Sequence, residues 1–308
     1  MARKRRGVPV HGWVVLDKPL GMSSFQAVAA VRRAFNAEKA GHGGTLDPLA
    51  SGVLPIALGE ATKTVGYVME DRKSYRFRIR FGIQTSTDDA EGEAVATSDI
   101  RPDAAAIAAV LPRFQGEIEQ VPPKYSAIKV EGQRAYALAR GGEAVELQPR
   151  IVRVDAIRLA GMPDADHADI EVESGKGCYM RSLARDIALA AGSVGHVVVL
   201  RRTAVGQFRE EGAISLDDLA AIAQSPAPER YLLPVETALD DIPALALTET
   251  EAHRLRHGQA VPLLRKADRV RLEALGGDGV AFATSAGKAV AVVRVEGGQI
   301  HPMRVLNL

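Results

Sequence analysis

One carboxylate in this sequence lies in a loop that leaves it few conformations. Asp47 stands within Gly-His-Gly-Gly-Thr-Leu-Asp-Pro-Leu-Ala-Ser-Gly-Val-Leu, residues 41–54. The glycines permit backbone angles and close approaches that a side chain would forbid, and Pro48 biases Asp47 towards an extended conformation. A rigid loop that carries one acid and one histidine, His42, can present a reactive group to a bulky substrate. The same residues also suit a simple Asp-Pro turn, so the loop alone indicates a candidate nucleophile without a reaction.

Further motifs accompany this loop in a fixed order along the first two thirds of the chain. They are Leu16-Asp17-Lys18-Pro19, Gly21-Met22-Ser23-Ser24, Gly59-Glu60-Ala61-Thr62-Lys63, Lys73-Ser74-Tyr75, Pro122-Pro123-Lys124-Tyr125-Ser126-Ala127, Gly175-Lys176-Gly177-Cys178-Tyr179-Met180-Arg181-Ser182 and Leu200-Arg201-Arg202. Together with the Asp47 loop, they resemble the TruB family, the bacterial tRNA pseudouridine-55 synthases. Two residues depart from the family pattern, Gly43 and Cys178, where threonine is usual or common. Both departures concern loop detail, because the aspartate, the tyrosines and the arginine of the motifs are present.

The resemblance implies an isomerase that breaks the bond from ribose C1′ to uracil N1 and joins C1′ to C5. Such a reaction needs a nucleophile, and a carboxylate can serve as one. Asp47 is the implied nucleophile and Arg181 its implied partner, because a neighbouring arginine keeps a partly buried carboxylate ionised. Asp47 suits attack at uracil C6 and at ribose C1′ equally. The resemblance places Tyr75 against the uracil, where its ring can stack and its hydroxyl can transfer a proton. Without the resemblance, Arg181 reads as a surface salt bridge and Tyr75 as a core residue.

Four further residues are expected to bind the substrate RNA or brace the loop. The resemblance places Tyr179 and Leu200 on the walls of the base pocket, although both residue types are also common in a protein core. Lys63 is expected to hold a phosphate or to brace the catalytic loop, and a solvated lysine is the competing interpretation. The target uridine lies inside a folded RNA loop and must be flipped out of it. His42 is expected to stack where the flipped base was.

Charge is distributed unevenly along the chain, although the formal net charge is only +1. Residues 1–82 hold 14 Lys and Arg against 6 Asp and Glu, whereas residues 83–120 hold 2 against 8. Arg76, Arg78 and Arg80 alternate with apolar residues, which is typical of a strand with one buried and one cationic face. Because a guanidinium can bind phosphate bidentately, Arg76 and Arg78 are predicted to contact the RNA backbone. The competing interpretation is a charge run that only solvates a surface.

The composition is that of a core-forming protein with 46% hydrophobic residues. One cysteine, Cys178, excludes an internal disulfide and fits a reducing compartment. No apolar run approaches the roughly 20 residues of a membrane span, and the basic start of the chain lacks the apolar stretch of a signal peptide. No histidines and cysteines have the spacing of zinc ligands. The chain is therefore predicted to be cytoplasmic and to need no metal. The resemblance to the TruB family further implies that it binds the T arm of tRNA, and it is expected to act as a monomer without a protein partner or other cofactor.

The pattern of elements predicts an α+β fold. Strands at 13–16, 74–82, 151–159, 168–174 and 195–205 alternate irregularly with helices at 27–35, 102–113, 134–140 and 180–191, which favours a mixed, largely antiparallel sheet. The resemblance implies a pseudouridine-synthase fold with a central cleft. A helix capped by Thr248 and Glu251 and strands at 270–274, 279–284 and 289–295 resemble a small β-rich, PUA-like module. The predicted domains are residues 1–240, catalytic, and residues 245–308, RNA-binding.

Three other functions compete with this hypothesis. The basic first third and the β-rich tail also suit an RNA-binding or RNA-folding protein whose chemistry is dispensable, but binding alone would not require Asp47, Tyr75, Tyr179 and Arg181 together. An aspartate-dependent hydrolase would need metal-binding carboxylates near Asp47, and Asp88, Asp89 and Glu91 lie in an acidic segment of different character. A guide-RNA-dependent relative would carry out the same chemistry on ribosomal RNA. The polar run at 84–89 predicts a mobile loop, and the sequence leaves open whether RNA binding orders it.

Overall fold

The computed structural model describes residues 7–125, 147–263 and 279–308, and the backbone of two short strands between the first two ranges. Its strands, β1 to β18 in chain order, are Gly12–Lys18, Ala40–His42, Ala50–Leu58, Lys73–Phe81, Ile83–Thr85, Ala94–Thr97, Gly116–Gln120, Lys129–Val130, Gln133–Arg134, Arg150–Asp164, His167–Ser174, Gly195–Val205, Phe208–Arg209, Ala244–Ala246, Val261–Pro262, Gly279–Ser285, Lys288–Glu296 and Gln299–Val305. Its α-helices, α1 to α6, are Ser24–Ala34, Val65–Glu70, Ala104–Val110, Met180–Ala190, Leu216–Ile222 and Glu249–Arg256. Short 3₁₀ helices lie at Gly59–Lys63, Leu111–Phe114, Glu210–Gly212, Pro228–Tyr231 and Val235–Leu239.

A nine-stranded sheet carries the first two thirds of the chain. Seven strands lie in the order β1-β3-β12-β4-β11-β10-β7, with β2 paired to β3 and β13 to β12. Only the β12–β3 pair is parallel, and the other pairs of this sheet are antiparallel. The sheet is therefore mixed and largely antiparallel, and the predicted α+β fold class is confirmed.

Helices α1 and α4 cover the apolar face of this sheet. Helix α1 begins at a capping box in which Ser23 Oγ accepts from the Gln26 amide and Gln26 Oε1 accepts from the Ser23 amide. Its buried residues include Ala27 and Val31, four positions apart, so one stripe faces the core. Helix α4 buries Met180, Leu183, Ala184, Ile187 and Ala188 by the same periodicity. Burial of that stripe orients α4, and its first turn consequently brings Arg181 to the sheet.

A second sheet of five strands forms the C-terminal β-rich unit, in the order β14-β16-β17-β18-β15. Helix α6 precedes it, and its N-terminal Thr248 and Glu251 form the predicted capping box. The two sheets share an apolar cluster in which Trp13, Val15 and Val53 from the first pack with Phe282 and Val292 from the second. The small β-rich domain expected from the sequence is thus present and packed against the larger one.

Most predicted elements are found within a few residues of their expected positions. The helix expected at 102–113 ends as an α-helix at Val110 and continues as a 3₁₀ turn over Leu111–Phe114. The helix predicted at 134–140 and the strand at 270–274 lie outside the described residues, apart from the backbone of Arg134 in β9. Strand β3, which runs through the core directly after Asp47, was not predicted, because Gly52 and Pro55 interrupt its apolar pattern. Within the described ranges, no helix combines the length and apolar character needed to cross a membrane.

Candidate active site

The loop that carries Asp47 connects the adjacent antiparallel strands β2 and β3 and is tied down at several points. The Gly43 amide donates to the Pro55 carbonyl at 2.8 Å, which continues the pairing of these strands. Ser24 Oγ, at the start of α1, both accepts from the Leu46 amide and donates to the Leu46 carbonyl, each at 2.9 Å. The Ala50 amide donates to the carbonyl of Asp47 at 3.0 Å. These backbone hydrogen bonds fix the residues on both sides of the carboxylate.

Gly43, where the family pattern has threonine, fits a tight contact in this structure. A Cβ atom on Gly43 would lie 2.5 Å from Cγ1 of Val68. Val68 in α2 is fully buried and occupies the space that a larger residue would take. This departure from the family pattern is therefore matched by the packing of α2 against the loop.

Asp47 forms an ion pair with Arg181. Arg181 Nη2 lies 2.9 Å from Asp47 Oδ2, and the Arg181 side chain is only 7% exposed whereas that of Asp47 is 40% exposed. A second acid, Asp89, places Oδ2 at 3.4 Å from Arg181 Nη1. Arg181 also donates to the carbonyls of Thr87 and Tyr125 at 3.2 and 2.9 Å. The arginine is thus held from several sides and presents one carboxylate towards the open side of the site.

Asp89 was assigned no role from the sequence, and the run that contains it was interpreted as a mobile loop. The structure instead folds residues 83–97 into the β5–β6 hairpin, with Asp88 and Asp89 at most 8% exposed. Asp88 Oδ2 pairs with Arg185 Nη1 at 2.9 Å, one helical turn after Arg181 in α4. Two acids of the hairpin therefore bind two arginines on one face of α4. The Asp-Asp and Arg-x-x-x-Arg spacings were the only sequence signals for this arrangement.

A cavity of about 280 Å³ opens beside Asp47. Its lining brings together residues from the Asp47 loop, α2, β4, the turn before α4, the start of α4, and β12: Gly44, Thr45, Leu46, Asp47, Met69, Lys73, Tyr75, Gly175, Lys176, Gly177, Cys178, Tyr179, Met180, Arg181, Leu200 and Arg202. The structure thus gathers five of the nine residues singled out from the sequence, namely Asp47, Tyr75, Tyr179, Arg181 and Leu200. The remaining four, His42, Lys63, Arg76 and Arg78, do not line this cavity.

Tyr75 and Leu200 form part of the cavity wall on adjacent strands. Tyr75 is half-buried on β4, and Leu200 on β12 is 8% exposed. Burial raises the pKa of the Tyr75 phenol, and this rise is opposed by the charge of Arg202 and its hydrogen bonding to the phenol. The resting phenol is therefore neutral at physiological pH. Tyr179 forms another part of the wall, with the Arg150 guanidinium 5.2 Å from the centre of its ring.

Cys178 replaces the family threonine at the edge of the cavity. Its Sγ atom is 3.8 Å from Gln120 Nε2, and burial raises the pKa of the thiol to about 12. The side chain consequently remains a neutral thiol near neutral pH. Gln120 also accepts from the Tyr179 amide at 2.8 Å, so it holds the turn that precedes α4.

Two lysines that received no role from the sequence are buried near Asp47. Lys18 Nζ donates to the carbonyl of Pro19 at 2.8 Å, and Lys73 Nζ donates to that of Met69 at 2.6 Å. Burial lowers the pKa of each ammonium to about 8, and for Lys18 the charge of Asp47 opposes that effect. Both lysines lie in motifs that carried the family resemblance, but an isolated lysine in a sequence does not reveal that its ammonium is buried.

His42 and Lys63 lie away from the cavity. His42 ends β2, and its Nδ1 atom is buried without a hydrogen-bond partner. Burial lowers the pKa of its imidazole, and the charge of Arg202 lowers it further, which favours the neutral ring. Lys63 Nζ donates to Glu60 Oε2 at 2.6 Å and to the carbonyl of Val305 in β18 at 2.8 Å. Both hydrogen bonds of Lys63 are therefore made outside the Asp47 loop, and one of them connects the first sheet's domain to the C-terminal strand β18.

The face of β4 predicted to be cationic is largely neutralised by its neighbour β11. Arg78 is paired bidentately with Asp169, at 2.7 and 2.9 Å, and Arg76 Nε lies 3.1 Å from Glu171 Oε1. Each arginine stands directly opposite its acid in the antiparallel register. The alternation of side chains was predicted correctly, but the strand does not present a row of free guanidinium groups. The reason is that the acidic alternation of β11 faces the basic alternation of β4.

We expect Arg78→Gln to leave the salt dependence of RNA binding nearly unchanged. A residue that contacts phosphate contributes about 0.7–0.9 to the slope of log affinity against log salt, whereas Arg78 already has an acid as its partner. The measurement is filter binding of a tRNA transcript at several salt concentrations, with Asp169→Asn as the matched control that frees the guanidinium. A slope reduced by a full phosphate contact in Arg78→Gln would restore the phosphate-binding role.

Within the part of the chain that the structure describes, no three His, Cys, Asp or Glu side chains are grouped so that they could hold a metal ion.

The chain is similar to known proteins over its whole length. Residues 32–180 match the model of the TruB family pseudouridylate synthase N-terminal domain, and residues 181–240 match that of the tRNA pseudouridylate synthase B C-terminal domain. A protein of Rhodospirillum rubrum named tRNA pseudouridine synthase B is 54% identical over 308 residues, with 100% of both chains covered. One of the same name from Bradyrhizobium diazoefficiens is 55% identical, covering 99% of this chain and 88% of the relative. The crystal structure of a Cbf5-Nop10-Gar1 complex contains a chain that superposes with a TM-score of 0.72 at 26% identity, covering 96% of this chain and 84% of that one.

Proposed function

Because this chain belongs to the TruB family of pseudouridylate synthases, we propose that it converts uridine 55 in the T-arm loop of tRNA to pseudouridine, with Asp47 as the nucleophile. The class of the enzyme is RNA pseudouridine synthase, an isomerase. Its full-length relatives are named for the reaction on tRNA. The choice of the T-arm uridine is supported by the ordered motifs of the sequence, from the Asp47 loop to Leu200-Arg201-Arg202.

One observation carries the assignment of the nucleophile. Asp47 is a carboxylate of the cavity that is both partly exposed and paired with a buried arginine at 2.9 Å. Exposure lets the carboxylate reach a substrate atom, while the ion pair with Arg181 holds it in place. The second acid on Arg181, Asp89, is only 11% exposed and accepts hydrogen bonds from within its own hairpin. Asp47 is consequently the acid that is placed to react, and Asp89 the one that holds the arginine.

The cavity supplies the other requirements of the isomerisation. The flipped uracil would lie against the Tyr75 ring and Leu200, which offer an apolar surface for stacking. Attack by Asp47 leads to cleavage of the C1′–N1 bond, whose electron pair passes to the uracil. The base then turns within the pocket so that its C5 bonds to C1′. The bond to Asp47 breaks and frees the carboxylate, the proton on C5 is lost, and N1 gains a proton. The walls keep the detached base within reach of the ribose during this turn.

The direct test is release of tritium from an unmodified tRNA transcript that carries [5-³H]uridine, because forming the C1′–C5 bond displaces the hydrogen of C5. Wild-type enzyme should release one tritium per transcript, and mapping should place pseudouridine at the T-arm uridine. A transcript with cytidine at that position is the control and should release nothing above background. Binding without release would favour the RNA-folding alternative, and release that maps to another uridine would change the proposed substrate.

We expect Tyr75→Phe to lower the single-turnover rate by about 10²–10³-fold, the range for loss of a general acid or base, with little change in RNA affinity because the stacking ring remains. The pKa of the phenol is raised by burial, so the phenolate is a minor species whose fraction grows as pH rises. The wild-type rate should therefore increase with pH, and this increase should be absent from Tyr75→Phe.

Tyr179→Phe is the matched control for this experiment. Tyr179 also lines the cavity and is half-buried, and its ring contacts the Arg150 guanidinium. Its loss should change the rate by less than about tenfold. A Tyr75→Phe enzyme with the wild-type rate and pH profile would remove the hydroxyl from the mechanism and leave only stacking.

A further inference from the structure

The buried guanidinium of Arg202 links the catalytic loop to Tyr75. Arg202 lies on β12 and is only 1% exposed. Across the sheet it stands opposite Tyr75 of β4 on one side and opposite Gly52 of β3 on the other. Because neighbours in register share a face of the sheet, the arginine and the tyrosine are side by side. A Cβ atom on Gly52 would lie 2.2 Å from the carbonyl oxygen of Arg202, so the glycine permits the close pairing of β3 with β12 at this point.

Three backbone carbonyls of the loop and β3 receive hydrogen bonds from this guanidinium. Arg202 Nε donates to the carbonyl of Val53 at 2.8 Å, while Nη1 and Nη2 donate to those of Thr45 and Gly44 at 3.2 Å each. The last two lie two and three residues before Asp47. A planar fork with fixed donor directions can hold two successive carbonyls and a third on the next strand, whereas the flexible ammonium of a lysine cannot match this geometry.

Arg202 differs from its neighbours in its charge environment. Arg181 is paired with two carboxylates, and Arg201 is paired with Asp17 and Glu210. Among the described residues, no carboxylate forms a salt bridge with Arg202, whose hydrogen-bond acceptors are backbone carbonyls. Its charge lies close enough to the Tyr75 phenol to oppose the rise in the pKa of that group. A buried cation without a counter-ion is costly to maintain. Its position on the wall of the cavity directs that charge at the place where a base would lie.

We propose that Arg202 is a positioning residue that fixes the Asp47 loop and the Tyr75 hydroxyl relative to each other, and that its uncompensated charge favours the negative charge that arises when the C1′–N1 bond breaks. The proposal rests on the proposed function. Charge that is fixed in place before the reaction needs no reorganisation during bond cleavage, and this is how preorganised donors accelerate reactions. The electron pair of the breaking bond would move onto uracil in the field of this cation, and the phenolate form of Tyr75 would be favoured by the same field.

The test compares Arg202→Gln and Arg202→Lys with Arg201→Gln in single-turnover tritium release and in RNA binding. Arg202→Gln should lower the rate by about 10²-fold, the loss expected from small misplacement of reacting groups, with RNA affinity within about twofold of wild type. Arg202→Lys keeps the charge and loses the planar guanidinium, so its rate should lie between those of wild type and Arg202→Gln. Arg201, the next residue, has a guanidinium bound to acids at the surface, and its replacement should leave the rate within about twofold.

A double-mutant cycle with Tyr75→Phe separates positioning from a general loss of structure. If Arg202 acts through the phenol, Arg202→Gln should cost clearly less in the Tyr75→Phe background than in wild type, because interacting residues are not additive. Equal costs in both backgrounds, or a wild-type rate in Arg202→Gln, would overturn the proposal. Should Arg202→Gln fail to fold, the same cycle with Arg202→Lys decides. Absence of tritium release from wild type would instead refute the proposed function itself.

Discussion

Asp47→Asn is expected to lower the isomerisation rate by at least about 10⁴-fold, the order of loss seen when the nucleophile of an enzyme is removed. Asparagine has nearly the shape of aspartate, but its amide is neutral and does not attack carbon as a carboxylate does. The fold should survive the change, because Arg181 keeps a second acid, Asp89, at 3.4 Å. RNA affinity should consequently stay close to that of wild type, while single-turnover tritium release disappears.

Asp17→Asn is the matched control for this prediction. Asp17 also forms an ion pair with an arginine, with both oxygens 2.9–3.0 Å from Arg201, and its side chain is 36% exposed, close to the 40% of Asp47. It does not line the cavity. Loss of activity in Asp47→Asn alone assigns the chemistry to Asp47. Equal losses in both variants would indicate that breaking an Asp–Arg pair disturbs the fold, and retained turnover in Asp47→Asn would refute the nucleophile assignment.

Arg181→Gln is expected to lower the rate by about 10³-fold, as for removal of a preorganised charged partner, and to lower the free energy of unfolding by about 3 kcal/mol, as for breaking a buried ion pair. Both effects follow from one arginine that serves two acids. Without Arg181, Asp47 loses the ion-pair partner that positions it, and the buried Asp89 loses the same partner. Rates from tritium release and free energies from urea titration test the two effects separately.

The comparison with Arg181→Lys and Arg201→Gln shows whether the two effects have one cause. Lysine restores the charge but cannot reach Asp47, Asp89 and two carbonyls at once, so we expect partial recovery of both rate and stability. Arg201 lies in a pair that is about one-third exposed, and its replacement should cost at most about 1 kcal/mol. An Arg181→Gln enzyme with nearly wild-type rate and stability would contradict the central place of this ion pair.

The structure also explains why a partly exposed aspartate can be kept in one place. Its loop is bounded by β2 and β3, pinned by Ser24 at Leu46, and held by Arg202 through the carbonyls at 44 and 45. Each of these contacts acts on the backbone, so the Asp47 side chain remains free to face the cavity. The precise placement of the proposed nucleophile therefore depends on residues that take no part in the proposed bond making.

Much of the local structure around the candidate site could be predicted from the sequence because it depends on near neighbours in the chain. The glycines and the proline around Asp47 restrict the loop through their own backbone angles, and Ser23 with Gln26 marks the start of a helix through contacts three residues apart. The alternation in β4 likewise follows from the two-residue period of a strand. These properties are set by covalent geometry and near neighbours, and for this reason they can be predicted from the sequence.

Only the tertiary structure decided which charges are available to a substrate. Arg78 and Arg202 look alike in sequence, as arginines in strands, yet one is neutralised by an acid 91 residues away while the other is buried without an acid partner among the described residues. Asp89, interpreted as part of a mobile loop, is packed against Arg181. Strand order and register bring these partners together, and both are set by the burial of the whole sheet rather than by any local pattern. The sequence determines the charge of a side chain, whereas the fold determines which counter-ion lies beside it.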